Sequence, residues 1–140
     1  MPSRPMTLAI DATVQVCGVV VPGDGRGRVL GFPTANLQLA QHEVPADGVY
    51  VAIATIEGMH DEFDATVSVG TNPTFGGERA PRVEVYLHDV TIDLYGHTMT
   101  VQILDLLRTT VAFAHVDELI AQTERDVQAS RGVHAARRAR

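Results

Sequence analysis

The sequence contains no lysine, and its eleven basic residues are all arginines. A Walker-type phosphate loop needs a Gly-Lys-Ser/Thr step on a helix that follows a strand, so that class of nucleotide hydrolase is excluded. Any phosphate bound here is held by backbone N–H groups, arginine or a metal ion. Cysteine is nearly absent too: Cys17 has no partner for an internal disulfide, and its place between Val16 and Gly18 in an apolar run predicts a small core residue. The six histidines, His42, His60, His88, His97, His115 and His134, show neither HExxH nor any other zinc-ligand spacing, and read as surface residues with no zinc site. There is no GxSxG, and Ser68 has no identifiable triad partner, so covalent hydrolase chemistry has no support.

No apolar run approaches the roughly 20 residues of a membrane helix, and the opening MPSRPMTLAID carries no stretch of signal-peptide type. A cytoplasmic protein without membrane association is expected. A net charge of −6 argues against a general nucleic-acid surface.

What is present suits one folded unit. A chain of 140 residues, 45% of them hydrophobic, is long enough for one core, and neither a linker nor an internal repeat divides it. A single domain over 1–140 is expected, with its core at 13–132, flexible ends at 1–12 and 133–140, and a basic tail from His134 to Arg140 that is frayed and solvated. Strands are predicted at 13–21, 49–56, 63–70, 82–88 and 99–107 from β-branched and alternating residues bounded by Gly/Pro turns. The stretch 37–39 is short and apolar and leads to the turn Pro45-Ala46-Asp47-Gly48. Val116, Leu119, Ile120, Thr123 and Val127 repeat at helical spacing, with Asp117 and Glu118 in the first turn and Gly132 as the stop. Five or six short strands followed by one helix point to a closed or nearly closed antiparallel β-barrel carrying a terminal helix.

The chemistry concentrates in GDGRGRVLGFPTAN, residues 23–36. Gly23, Gly25 and Gly27 permit positive φ and close backbone approach, while Arg26 and Arg28 add charge beside the exposed N–H groups, so an anion fits. Pro33 fixes the chain before Thr34 and Asn36, whose oxygens are hard donors suited to Mg²⁺. A cradle for a nucleoside triphosphate and its metal is one reading; a Gly-rich turn between strands is the other. On the strand at 82–88, Glu84 faces away from Val83, Val85 and Leu87, and is either a general base with a raised pKa or an ordinary solvated carboxylate. Tyr86, Tyr95, Phe75 and Phe113 are stacking candidates that serve equally as core residues.

Taken together and in order, GDGRGRVLGFPTANL, VPADGVY at 44–50, VSVGTNPTF at 67–75, VEVYLHD at 83–89, DLYG at 93–96 and LLR at 106–108 resemble the riboflavin kinase family, including the kinase module of bacterial bifunctional FAD synthetases. The resemblance implies a six-stranded, Greek-key-like antiparallel barrel that binds Mg²⁺–ATP and riboflavin and yields FMN and ADP. It implies that Thr34 and Asn36 organise metal and phosphates, that Glu84 is the base, and that Gly23, Gly25, Arg26, Gly27, Arg28, Gly31 and Pro33 belong to the ATP side. Asn72, Tyr86, Leu107, Arg108 and Phe113 fall on the flavin side, where the stretch TTVAF after Arg108 departs from the family's pattern. The 140 residues include no N-terminal nucleotidyltransferase domain, so FAD synthesis is not expected unless the chain is an excised module. A monomer is the favoured state. The alternatives are a flavin or nucleotide sensor without turnover and a kinase for a related small alcohol.

Overall fold

The computed structural model describes residues 14–22, 34–39, 44–71, 81–90, 92–109 and 116–139. Among these, six strands and one helix follow in order: β1 Gln15–Val21, β2 Ala35–Gln38, β3 Gly48–Ile56, β4 Glu62–Thr71, β5 Pro81–Leu87, β6 Thr98–Arg108 and α1 Val116–Arg138. The strands close into an antiparallel barrel in the order β1-β2-β5-β4-β3-β6. β2 to β3 and β5 to β6 join strands that are not neighbours, which is the Greek-key-like part of the path. Closure pairs each of the six described strands on both sides, so none of them offers a free edge.

Alternation along each strand sends one set of side chains inward. Val16 and Val20 from β1, Leu37 from β2, Ala52, Ala54 and Ile56 from β3, Ala65, Val67 and Val69 from β4, Val83, Val85 and Leu87 from β5, and Met99, Val101 and Ile103 from β6 make the core. Small β-branched residues dominate because a barrel of this size has little room inside. β3 also buries Val49 and Val51 on its other side, where α1 packs across β3, β4 and β6. This accounts for the run VYVAIATI having no wet face.

Gly18 has a steric reason. A Cβ there would meet the Gln38 carbonyl oxygen at 2.5 Å and the Leu39 side chain at 2.7 Å, so β1 and β2 approach as closely as they do because residue 18 carries no side chain. The same alternation turns Cys17 outward, and the expected core thiol is exposed. The apolar composition of the run hid a period of two that faces Gln15, Cys17 and Val19 to the outside.

β2 joins the end of the glycine-rich stretch 23–36 to the start of the short apolar stretch 37–39, where no strand is predicted from the sequence. Four residues are too few for a periodicity argument, although polar Asn36 and Gln38 do alternate with Ala35 and Leu37.

The helix also differs from expectation. It passes through Gly132 and continues to Arg138, so 133–138 is a structured turn and a half of helix and not a frayed tail. Its buried stripe is Asp126, Val127, Ser130 and His134, at i, i+4 and i+8 spacing and mostly polar; Leu119, Ile120 and Thr123 are only half-buried. The Ser130 hydroxyl donates to the Ala65 carbonyl at 3.3 Å, and His134 Nε2 lies 3.4 Å from the same oxygen. These contacts to β4 hold the last turns despite a cost of about 1 kcal/mol for an interior glycine. A Cβ at Gly132 would meet nothing within 4 Å. Gly132→Ala is therefore expected to stabilise the fold by about 0.5–1 kcal/mol, read as a higher urea midpoint at unchanged m-value.

Candidate active site

β2 runs antiparallel to β5 with Asn36 directly opposite Glu84, and on the far side of β5 Glu84 is opposite Ser68 of β4. Their strand neighbours Leu37, Val83, Val85, Val67 and Val69 point into the core. Asn36, Glu84 and Ser68 therefore share the outer surface as one cross-strand row, with neighbouring Cβ atoms about 5 Å apart. The register joins residues separated by 48 positions in the chain, something no spacing rule could supply. Ser68 has no triad partner in the sequence, and its place beside Glu84 comes from the sheet alone.

Thr34 stands immediately before β2 and is half-buried at a cavity of about 450 Å³, whose walls include Ala35, Val85, Leu87, Ile92 and Tyr95. One wall is built by the turn Asp93-Leu94-Tyr95-Gly96, in which an Asp93 carboxylate oxygen accepts from the Tyr95 N–H at 3.1 Å and Gly96 adopts φ +83°. The turn presents Tyr95 outward, 53% exposed, at the cavity rim.

The acceptor-side candidates separate. Tyr86 shares the outer face of β5 with Glu84, bonds Arg131 of α1, and has its ring centroid 5.6 Å from that of His88. Leu107 and Arg108 end β6, where register shifts between Val49 and Tyr50 and between Val51 and Ala52 re-aim the strand. The Arg108 guanidinium is held by Asp126: Nε donates to Oδ1 at 2.9 Å and Nη2 to Oδ2 at 2.8 Å, while Gln122 Nε2 also donates to Oδ1 at 2.9 Å. The pair fastens β6 to α1. Gly23, Gly25, Arg26, Gly27, Arg28, Gly31, Pro33, Asn72 and Phe113 lie outside the described residues.

The histidine reading needs correction. His88 and His134 are buried, 7% and 1% exposed, where the sequence suggested surface residues. His88 alternates to the outer face of the barrel as expected, but the prolonged helix covers that face. Burial lowers its pKa to about 4, helped by Arg131 and His134 and opposed by Asp64 and Asp89. The folded state then holds fewer protons than the unfolded state between about pH 6.5 and 4, so stability falls as pH falls through that window. A shift of this size corresponds to about 3 kcal/mol, which the adjoining open cavity and charge screening reduce to about 1–2 kcal/mol. Urea titrations in chelator-containing buffer at pH 7 and pH 4.5 should show this loss, and His88→Gln should flatten it. Equal pH dependence in that variant would assign the loss elsewhere.

Comparison with known proteins meets this geometry. The family model described as riboflavin kinase, or flavokinase, matches residues 10–134. The bifunctional riboflavin kinase/FMN adenylyltransferase of Escherichia coli K12 is 40% identical over 111 residues, covering 79% of this chain and 35% of that protein. Its namesake from Listeria monocytogenes is 35% identical over 119 residues, covering 84% and 37%. The chain thus spans little more than a third of the length of these curated relatives. Among solved structures, one from Streptococcus pneumoniae described as a macrolide-efflux protein superposes with a TM-score of 0.72 at 42% identity, covering 84% of this chain and 38% of that one. A riboflavin kinase from Trypanosoma brucei shares the fold at a TM-score of 0.57 and 23% identity, covering 85% and 78%. The six-stranded barrel and terminal helix are the architecture on which the superposition at a TM-score of 0.72 rests. The chain belongs to the riboflavin kinase family. None of the described helices is long and apolar enough to cross a membrane.

Proposed function

We propose that this chain transfers the γ-phosphate of ATP to the ribityl 5′-hydroxyl of riboflavin, giving FMN and ADP. The observation that carries this reading is the register that sets Asn36 opposite Glu84 on the outer face of a riboflavin kinase barrel. In the reaction the hydroxyl oxygen attacks the γ-phosphorus, its proton passes to the Glu84 carboxylate, and the bond from phosphorus to the β-phosphate oxygen breaks to release ADP. Phosphoryl transfer asks little covalent help of the protein, so positioning and charge stabilisation are its main contribution.

Thr34 and Asn36 offer a hydroxyl and an amide oxygen, the hard neutral donors that suit Mg²⁺ beside phosphates, and they would hold the ion. When bound with ATP, Mg²⁺ neutralises charge on the phosphates. The apolar cavity beside Thr34 suits the base and sugar of the nucleotide, with Tyr95 at its rim. The glycines and arginines of 23–31 supply phosphate donors in a chain that has no lysine for the purpose. A cytoplasmic setting, with ATP at hand, fits these substrates.

Chromatography of flavins after incubation with riboflavin, ATP and Mg²⁺ tests the reading: FMN and ADP should appear in equal amounts. Tight flavin binding without product, or preference for another alcohol, would overturn it. Asn36→Ala should raise the Mg²⁺ concentration needed for half-maximal rate by about tenfold, if its loss resembles that of one metal-supporting contact; an unchanged requirement would remove it from the metal site.

A further inference from the structure

A second cluster lies further along the same barrel face, four residues beyond Glu84 on β5, or roughly 13 Å at strand rise. There one ring nitrogen each of His88 and His134 and one carboxylate oxygen of Asp64 lie within 4.8 Å of one another. The three come from different elements: Asp64 from β4, His88 from the turn after β5, and His134 from the part of α1 beyond Gly132. We propose that Asp64, His88 and His134 form a site for a divalent transition-metal ion of the zinc class, which staples the end of α1 to the barrel.

His134 makes the strongest case. Its Nε2 lies 3.4 Å from the Ala65 carbonyl oxygen and its Nδ1 3.4 Å from Asp64 Oδ1, so both ring nitrogens face acceptors. A neutral imidazole has a single N–H. With Nε2–H donated to Ala65, Nδ1 confronts a carboxylate lone pair, and a cation between them satisfies both. Donation of the outer N–H to a backbone carbonyl is also how metal-ligating histidines are usually oriented. The Nδ1 to Oδ1 distance of 3.4 Å matches the ligand separation of about 3.3–3.4 Å that zinc bonds of 2.0–2.1 Å impose in a tetrahedron.

The neighbours fit as well. Thr66 Oγ1 and His88 Nε2 are 2.7 Å apart, which fixes the second ring, and the two imidazoles meet edge to face at 5.5 Å. Arg138 takes the other carboxylate oxygen, Oδ2, at 2.7 Å and leaves Oδ1 to the cluster. A cavity of about 420 Å³ opens beside Asp64 and His88, which gives an ion an entry path and room for a water as fourth ligand. Two imidazoles and one carboxylate select zinc-like ions over Mg²⁺, which prefers oxygen, so the site is chemically separate from the kinase's own metal. Arg131 and Arg138 stand close enough to weaken the attraction, which predicts moderate affinity.

The test uses the full, tag-free chain stripped with chelator and titrated with Co²⁺, whose absorption reports coordination, and then with Zn²⁺ in competition. One equivalent should bind with the intensity of a four-coordinate site, and the ring signals of His88 and His134 should shift in NMR spectra of the unmodified protein. Asp64→Asn and His134→Gln should weaken binding at least about tenfold. Arg138→Gln, at an exposed position that carries little folding risk, should tighten it severalfold by removing a charge and freeing Oδ2. Unmoved His88 and His134 signals would overturn the proposal whatever the variants do. So would binding that survives Asp64→Asn and disappears in His60→Gln or His97→Gln.

Discussion

Glu84→Gln is expected to lower kcat for FMN formation by about 10²–10⁴, the span associated with a general base. The side chain keeps its size and its place between Asn36 and Ser68, so strand pairing is retained and the unfolding free energy should change by less than about 1 kcal/mol. Loss of an interaction made only in the transition state lowers kcat and kcat/KM together and leaves ATP affinity nearly unchanged. A pH–rate profile adds a second readout: the acidic limb that reports the base in the native enzyme should vanish in the variant. Full activity in Glu84→Gln would remove the carboxylate from the mechanism and leave it as a strand residue on a polar face.

Asp126→Ala should cost about 2–4 kcal/mol of stability, the largest effect expected of any substitution outside the barrel core. Asp126 is buried, accepts two bonds from Arg108 and one from Gln122, and is the side of the pair less open to water: 9% exposed against 23% for Arg108. Removing one member of such a pair leaves the other charge desolvated without compensation, a loss of about 3–5 kcal/mol in fully buried cases and less where the guanidinium reaches solvent. Replacing both residues together, as Arg108→Met with Asp126→Leu, should cost much less than the single change, because no uncompensated charge remains. Urea denaturation of the three variants measures this. Equal losses in Asp126→Ala and the double variant would mean the ion pair is not what ties β6 to α1. The pair also sets the end of β6, where Leu107 and Arg108 are proposed for the flavin side.

Much of the barrel was legible because its signals are local. The strand at 82–88 alternates cleanly, and Pro45-Ala46-Asp47-Gly48 and Asp93-Leu94-Tyr95-Gly96 mark turns by residue type, so five strands and the helix start could be placed from the chain alone. The missed strand, β2, is four residues long, below the length at which a period of two can be told from chance. Gly132 was read as a helix stop because its propensity is local, whereas the contacts of Ser130 and His134 with Ala65 cross 65 and 69 residues and outweigh it.

The candidate site divides along the same line. By itself the sequence determined which chemical groups are available: an arginine-only basic set, the donors Thr34 and Asn36, and a strand carboxylate at Glu84, because residue type and local period depend only on neighbours in the chain. The tertiary structure alone decided that Asn36, Glu84 and Ser68 stand in one row, that Arg108 is committed to Asp126, and that His88 and His134 are enclosed with Asp64. Each of those facts rests on strand register or on how a helix lies across a barrel. Both are set by burial summed over the whole core, and no local stretch of sequence encodes that sum.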